Sequence, residues 1–184
     1  MAKTNVIRRA KRRQKGEIRS FQPFPPRTGE KSQVDAFFDA GGKIVAIDYR
    51  KSGDSIGVRC GSNLEAVKVV EAGLPFKSIR RFRQTSGLTL DRIKQVTGIS
   101  EGSYNRRKRT GRLSQEESER LFRVGRLFER ATGLYDGDQD GARQWLETSV
   151  PALGNQRPLD LARTEPGARE VEDLIGRIEH GVVS

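Results

Sequence analysis

From residue 62 onward, apolar positions recur every three or four residues, and capping and turn residues break them at intervals. That period predicts a helical protein. Ser62 or Asn63 can cap a short helix carrying Val69, Val70 and Ala72, which Gly73 and Pro75 stop. Phe76, Ile79 and Phe82 continue at helical spacing. Thr89 caps a segment with Leu90, Ile93 and Val96 on one face; Gly98 ends it, and Ser100 caps the next, from Glu101 to about Arg109. Ser114 and Glu117 have capping-box spacing, and the helix they open buries Leu121, Val124, Phe128 and Ala131. Asp138 caps a helix whose Trp145 is expected in the core. Thr164 caps the last helix, where Val171, Leu174, Ile175 and Ile178 form one stripe and Gly181 closes it.

Upstream the pattern changes. Val45, Ile47 and Tyr49 alternate with polar residues, as do Ile56, Val58 and Cys60, and Lys51 to Asp54 supply turn residues. Residues 43–60 therefore read as a β-hairpin. Residues 1–31 are rich in Lys and Arg and contain Phe21 to Pro26, which favours an extended backbone; they read as a disordered basic tail. The predicted fold class is mainly α, in four parts: the tail (1–31), an extension with the hairpin (32–61), a first helical domain (62–132) and a second (133–184).

Charge sharpens this division. Residues 1–31 carry a net +8, residues 32–75 −1, residues 76–112 +9 and residues 113–184 −5. A basic block suits phosphate, because each neutralised phosphate releases condensed counterions. The middle block coincides with the mechanics of a helix-turn-helix. Gly98 lets the backbone turn, Ile99 plugs the angle, and Ile93, Val96 and Tyr104 complete the seam. Ser100, Glu101, Ser103, Asn105, Arg106, Lys108 and Arg109 then face DNA. Arg pairs bidentately with guanine and Asn with adenine. Lys94, Arg107 and Arg112 are phosphate candidates. Lys94 departs from the motif, which prefers a small residue there. The basic tail is either a second DNA arm entering the minor groove or a tail without consequence.

The remaining motifs carry a resemblance. Glu71-Ala-Gly-Leu-Pro75, Gly98-Ile-Ser100, Gly111 to Ser118, Ala142 to Leu146 and Pro151 to Gly154 match a family pattern. So do Arg157-Pro-Leu-Asp160, Thr164 to Arg169 and Val171 to Gly181. Together they resemble antitoxins of the Xre/MbcA/ParS type over about the last three-fifths of the chain. The resemblance implies a helix-turn-helix domain, which dimerises or assembles further and represses its own operon, followed by a small toxin-binding domain. It implies a toxin of the RES class, which consumes NAD, with its active site covered by the antitoxin's C-terminal region. The residues carried over as toxin-facing are Arg157, Pro158, Asp160, Arg169, Glu172, Asp173, Arg177, Glu179, His180 and Gly181. On the last helix, Arg169, Glu172, Asp173 and Arg177 lie off the apolar stripe and are expected to be free for a partner. The alternative is a stand-alone DNA-binding regulator whose C-terminal domain only oligomerises.

Other chemistry is weakly signalled. No Ser/His/Asp or Cys/His constellation is readable, which argues against an enzyme, and no cofactor motif is present. Asp136 to Glu147 has the spacing of a calcium loop, but Arg143 stands where an apolar residue is needed and no second loop exists to pair with it. No metal site is expected. Cys60 is the single cysteine, and no membrane-length apolar run occurs; both fit a cytoplasmic protein.

Overall fold

The computed structural model describes residues 53–58, 60 and 62–181, together with the backbone of 37–38 and 44–46. The basic tail of residues 1–31 lies outside the described residues. Among those described, the helices are α1 (Asn63–Glu71), α2 (Lys77–Ser86), α3 (Leu90–Thr97), α4 (Glu101–Thr110), α5 (Gln115–Leu134), α6 (Gln139–Glu147), α7 (Pro158–Leu161) and α8 (Glu165–Glu179). The protein is mainly helical, as its apolar period predicts.

Local chemistry sets the boundaries. The side chains of Ser62, Thr89, Ser100, Ser114, Asp138 and Thr164 each accept a backbone N–H in the first turn of the helix they open. Each satisfies a donor that the helix cannot pair internally. At Ser114 the box is reciprocal, because Glu117 also accepts from the Ser114 N–H at 2.8 Å. Asp138 accepts from the Asp140 and Gly141 amides, so the calcium-like loop is a helix cap.

The core is one continuous apolar cluster around α5, whose Leu121, Val124, Leu127, Phe128 and Ala131 are buried. Phe82 of α2 meets Phe128 edge-on, with ring centroids 5.9 Å apart. On the other side of the cluster lie Trp145 and Leu146 of α6 and Val171, Leu174 and Ile175 of α8. Trp145 is fully buried, as expected of the one tryptophan in a small core.

The hairpin reading of residues 43–60 is corrected. Strand β1 (Phe37–Phe38) pairs antiparallel with β2 (Ile44–Ala46), and of the segment expected as the second strand, Ile56 ends a 3-10 turn (Asp54–Ile56) that Gly57 follows; residues 47–52 and 59 lie outside the described residues. Gly53 and Gly57 flank the turn at φ 99° and 73°, values that glycine adopts without strain. Glu129 of α5 accepts from the Gly53 N–H at 3.1 Å and the Ser55 N–H at 2.7 Å. Gly125 makes the close approach possible: a Cβ there would stand 2.9 Å from Ile56. The alternation of Ile56 and Cys60 is satisfied by burial in the helical core, not by a sheet. Burial pushes the Glu129 carboxyl above the usual carboxylate range, although the Ser55 and Gly53 donors pull the other way.

Because burial disfavours ionised Glu129, this group's contribution to stability is largest below its ordinary pKa and is lost as pH rises through the raised value. Relative to Glu129→Gln, which does not titrate, the wild-type chain should lose melting temperature as pH rises above the ordinary carboxylate range. Thermal scans over a pH series that starts in the ordinary carboxylate range check this, and a gap that moves the other way would contradict it.

Candidate functional site

The turn between α3 and α4 is built as the sequence requires. Gly98 has φ 67°, and its missing Cβ leaves room for Arg120, whose Nη1 would lie 2.8 Å away. The Ile99 N–H donates to Lys94 O at 3.0 Å, and the Ile99 side chain is buried with Ile93 and Val96. Tyr104 completes the seam and meets Phe76 edge-on at 5.0 Å.

Lys94 fits because its length is used. Its ammonium pairs with Asp91 on its own helix at 2.9 Å and with Glu101 on α4 at 2.7 Å. It also lies 5.8 Å from the centre of the Tyr104 ring. The hydrogen bonds to Asp91 and Glu101 raise its pKa above the ordinary lysine value. A small residue would let the two helices touch; this lysine ties them by charge instead.

Helix α4 buries none of its residues. Only Ser103, Tyr104 and Arg107 are half-buried, and they mark the face that meets the body. The structure sorts the predicted DNA residues into two sets. In the first, Ser100 caps the helix and bonds Ser103, and Glu101 takes Lys94 and Asn105. Arg107 pairs with Glu117 at 2.7 Å, and Arg112 donates to the carbonyls of Ala72 and Gly73 at the end of α1. The second set is Arg106, Lys108 and Arg109, which are exposed and make no ion pair with any described residue. Gly102, which sequence reasoning passed over, shares the face of Arg106 and Arg109 at i+4 and i+7. A Cβ there would meet nothing within 4 Å, so packing does not require glycine.

The C-terminal candidates divide in the same way. Glu172 is not free: it is buried and accepts from Arg126 Nε at 2.8 Å, because its position on α8 turns toward α5. Glu179 pairs with Arg130 at 3.3 Å, and Pro158 is buried. Asp160 pairs with Arg92 of α3 at 2.8 Å, and Glu147 stands 3.5 Å from the same guanidinium. That contact links the helix-turn-helix to the C-terminal segment. Arg157, Arg169, Asp173, Arg177, His180 and Gly181 are exposed. Among them Arg169 bonds Glu165 at 3.0 Å, and Arg177 lies 3.6 Å from Glu170.

Two family models match. Residues 65–126 match the antitoxin Xre-like helix-turn-helix domain, and residues 130–181 match the antitoxin Xre/MbcA/ParS C-terminal toxin-binding domain. The chain is 37% identical over 125 residues to an "Antitoxin Xre" of Photorhabdus laumondii, covering 67% of this chain and 83% of that protein. It is also 37% identical over 130 residues to an "Antitoxin Xre" of Yersinia enterocolitica, covering 70% of this chain and 88% of the relative. A "Prs ADP-ribosylating antitoxin" of a Sphingobium species is 23% identical over 129 residues, covering 65% and 81%.

With open space around Gly102, Gly102→Ala should stabilise the fold by about 0.5 kcal/mol, since glycine costs conformational entropy in a helix. Denaturant unfolding measures this, and a loss of stability would contradict the open face.

Proposed function

This chain belongs to the Xre antitoxin family, and we propose that it neutralises a RES-type, NAD-consuming toxin and represses its own operon through α3 and α4. The observation that carries the reading is the pairing of the two matched segments on one core: a helix-turn-helix, then a toxin-binding domain. The name of the Sphingobium relative, which couples an antitoxin to ADP-ribosylation, supports a toxin of NAD-using chemistry.

In this reading the toxin meets the exposed part of the C-terminal segment: Arg157, Arg169, Asp173, Arg177, His180 and Gly181. Buried Glu172 and paired Asp160 and Glu179 position that surface and do not touch the toxin. Helix α4, none of whose residues is buried, enters the major groove with Arg106 and Arg109 toward base edges. Gly102 leaves the leading face of α4 flat for close approach. Self-association of the helix-turn-helix part would match a two-fold operator.

Co-expression with the product of the adjacent gene tests neutralisation. The full chain should restore growth, and a chain lacking residues 169–184 should not. Restored growth with the deletion would overturn the assignment of the toxin-binding surface. Arg106→Ala with Arg109→Ala should cost about 1–3 kcal/mol per base contact in operator binding and relax its sequence preference. Gly102→Ala should weaken operator binding without loss of stability. Unchanged binding in a gel-shift titration of both variants would remove α4 as the recognition helix.

A further inference from the structure

Among the described residues, arginines differ in whether a carboxylate neutralises them. On the body, Arg92, Arg107, Arg123, Arg126 and Arg130 each face a carboxylate within 3.5 Å. Helix α2 differs: Lys77, Arg80, Arg81 and Arg83 are all exposed, the helix contains no acid, and none of the four pairs with a described residue. Uncompensated charge of one sign, gathered on one rigid element, repels itself and is favourable only against an anionic partner.

The orientation of α2 identifies the partner. Its inward face is Ser78, Ile79, Phe82 and Ser86. The side that looks toward α4 is marked by Phe76, whose ring meets Tyr104 and whose N–H donates to Gly111 O at 2.9 Å. Arg80 and Arg83 follow Phe76 at i+4 and i+7, so they lie on that same side. Arg81 is turned elsewhere, its stem packed across Gly57. Arg80 and Arg83 thus lie on the side of α2 that carries its contact with α4, the helix of the unpaired Arg106, Lys108 and Arg109.

Building on the reading of α4 as a DNA-binding helix, we propose that Arg80 and Arg83 form a second contact that grips the sugar-phosphate backbone beside the groove α4 enters. Exposed guanidinium groups on a helix flank suit phosphate oxygens, which carry no sequence information, so this contact sets affinity and register.

The test measures binding of the full chain to operator and to unrelated duplex across a salt series. Arg80→Ala with Arg83→Ala should weaken both complexes by the same factor. It should also make the plot of log affinity against log salt shallower by about 1–2, near 0.9 per lost phosphate contact. Arg80→Lys with Arg83→Lys should restore most of the slope, which a merely structural role would not predict. Unchanged slope and affinity in the alanine pair, with the Arg106/Arg109 variant impaired, would overturn the proposal and leave the reading of α4 intact. Unchanged binding in both variants would overturn both. Loss of operator preference in the Arg80/Arg83 pair would also overturn it, since that marks base contact.

Discussion

Helix α5 has to bury two unlike neighbours at once, and its arginines are what let it do so. Its apolar stripe packs the helix-turn-helix and also α6 and α8. Three arginines a turn apart, Arg123, Arg126 and Arg130, reach Glu165, Glu172 and Glu179 of α8, which repeat every seven residues. The central pair is the most enclosed, with side-chain exposures of 13% and 7%. Pairs so shielded add little net stability against apolar replacements, yet losing one partner strands a buried charge. They therefore fix how α8 lies on α5. Arg92 extends the same logic to α3 through Asp160.

Charge sorting follows from this constraint. Several carboxylates of the C-terminal segment hold the body together beside arginines of α3 and α5: Asp160 with Arg92, Glu165 with Arg123, Glu172 with Arg126 and Glu179 with Arg130. Helices α2 and α4 carry exposed cations that form no ion pair with a described residue: Lys77, Arg80, Arg81 and Arg83 on the first, and Arg106, Lys108 and Arg109 on the second. Much of the net +9 carried by residues 76–112 therefore faces outward, where it is available to DNA. The exposed C-terminal residues are a mixed set, Arg157, Arg169, Asp173, Arg177 and His180, suited to a protein partner with both signs of charge.

What was legible in the sequence was local. The six caps, the Gly98 turn, the Ser114–Glu117 box and the stripes of α5 and α8 all depend on residues a few positions apart, and all formed. Long-range pairing was not legible. Glu172 sits off the apolar stripe in sequence, yet it is buried because Arg126, 46 residues away, neutralises it. Ile56 and Cys60 alternate like a strand, but Gly125 and Glu129 of α5 offer them a docking site that periodicity does not reveal. Lys94 looked like a flaw in the motif until Asp91, Glu101 and Tyr104 were seen around it. The lone glycine at 102 carried no pattern at all, and only the open space around it marks it.

In the proposed arrangement, the arginines paired inside the protein stay there and the unpaired arginines of α2 and α4 meet DNA. Guanidinium Nε–Hε resonances, followed by NMR during titration with operator duplex, report on each arginine separately. The account predicts that the signals of Arg80, Arg83, Arg106 and Arg109 shift and gain protection, while those of Arg92, Arg107, Arg123, Arg126 and Arg130 stay in place. Shifts confined to the second set, or spread equally over both, would contradict it.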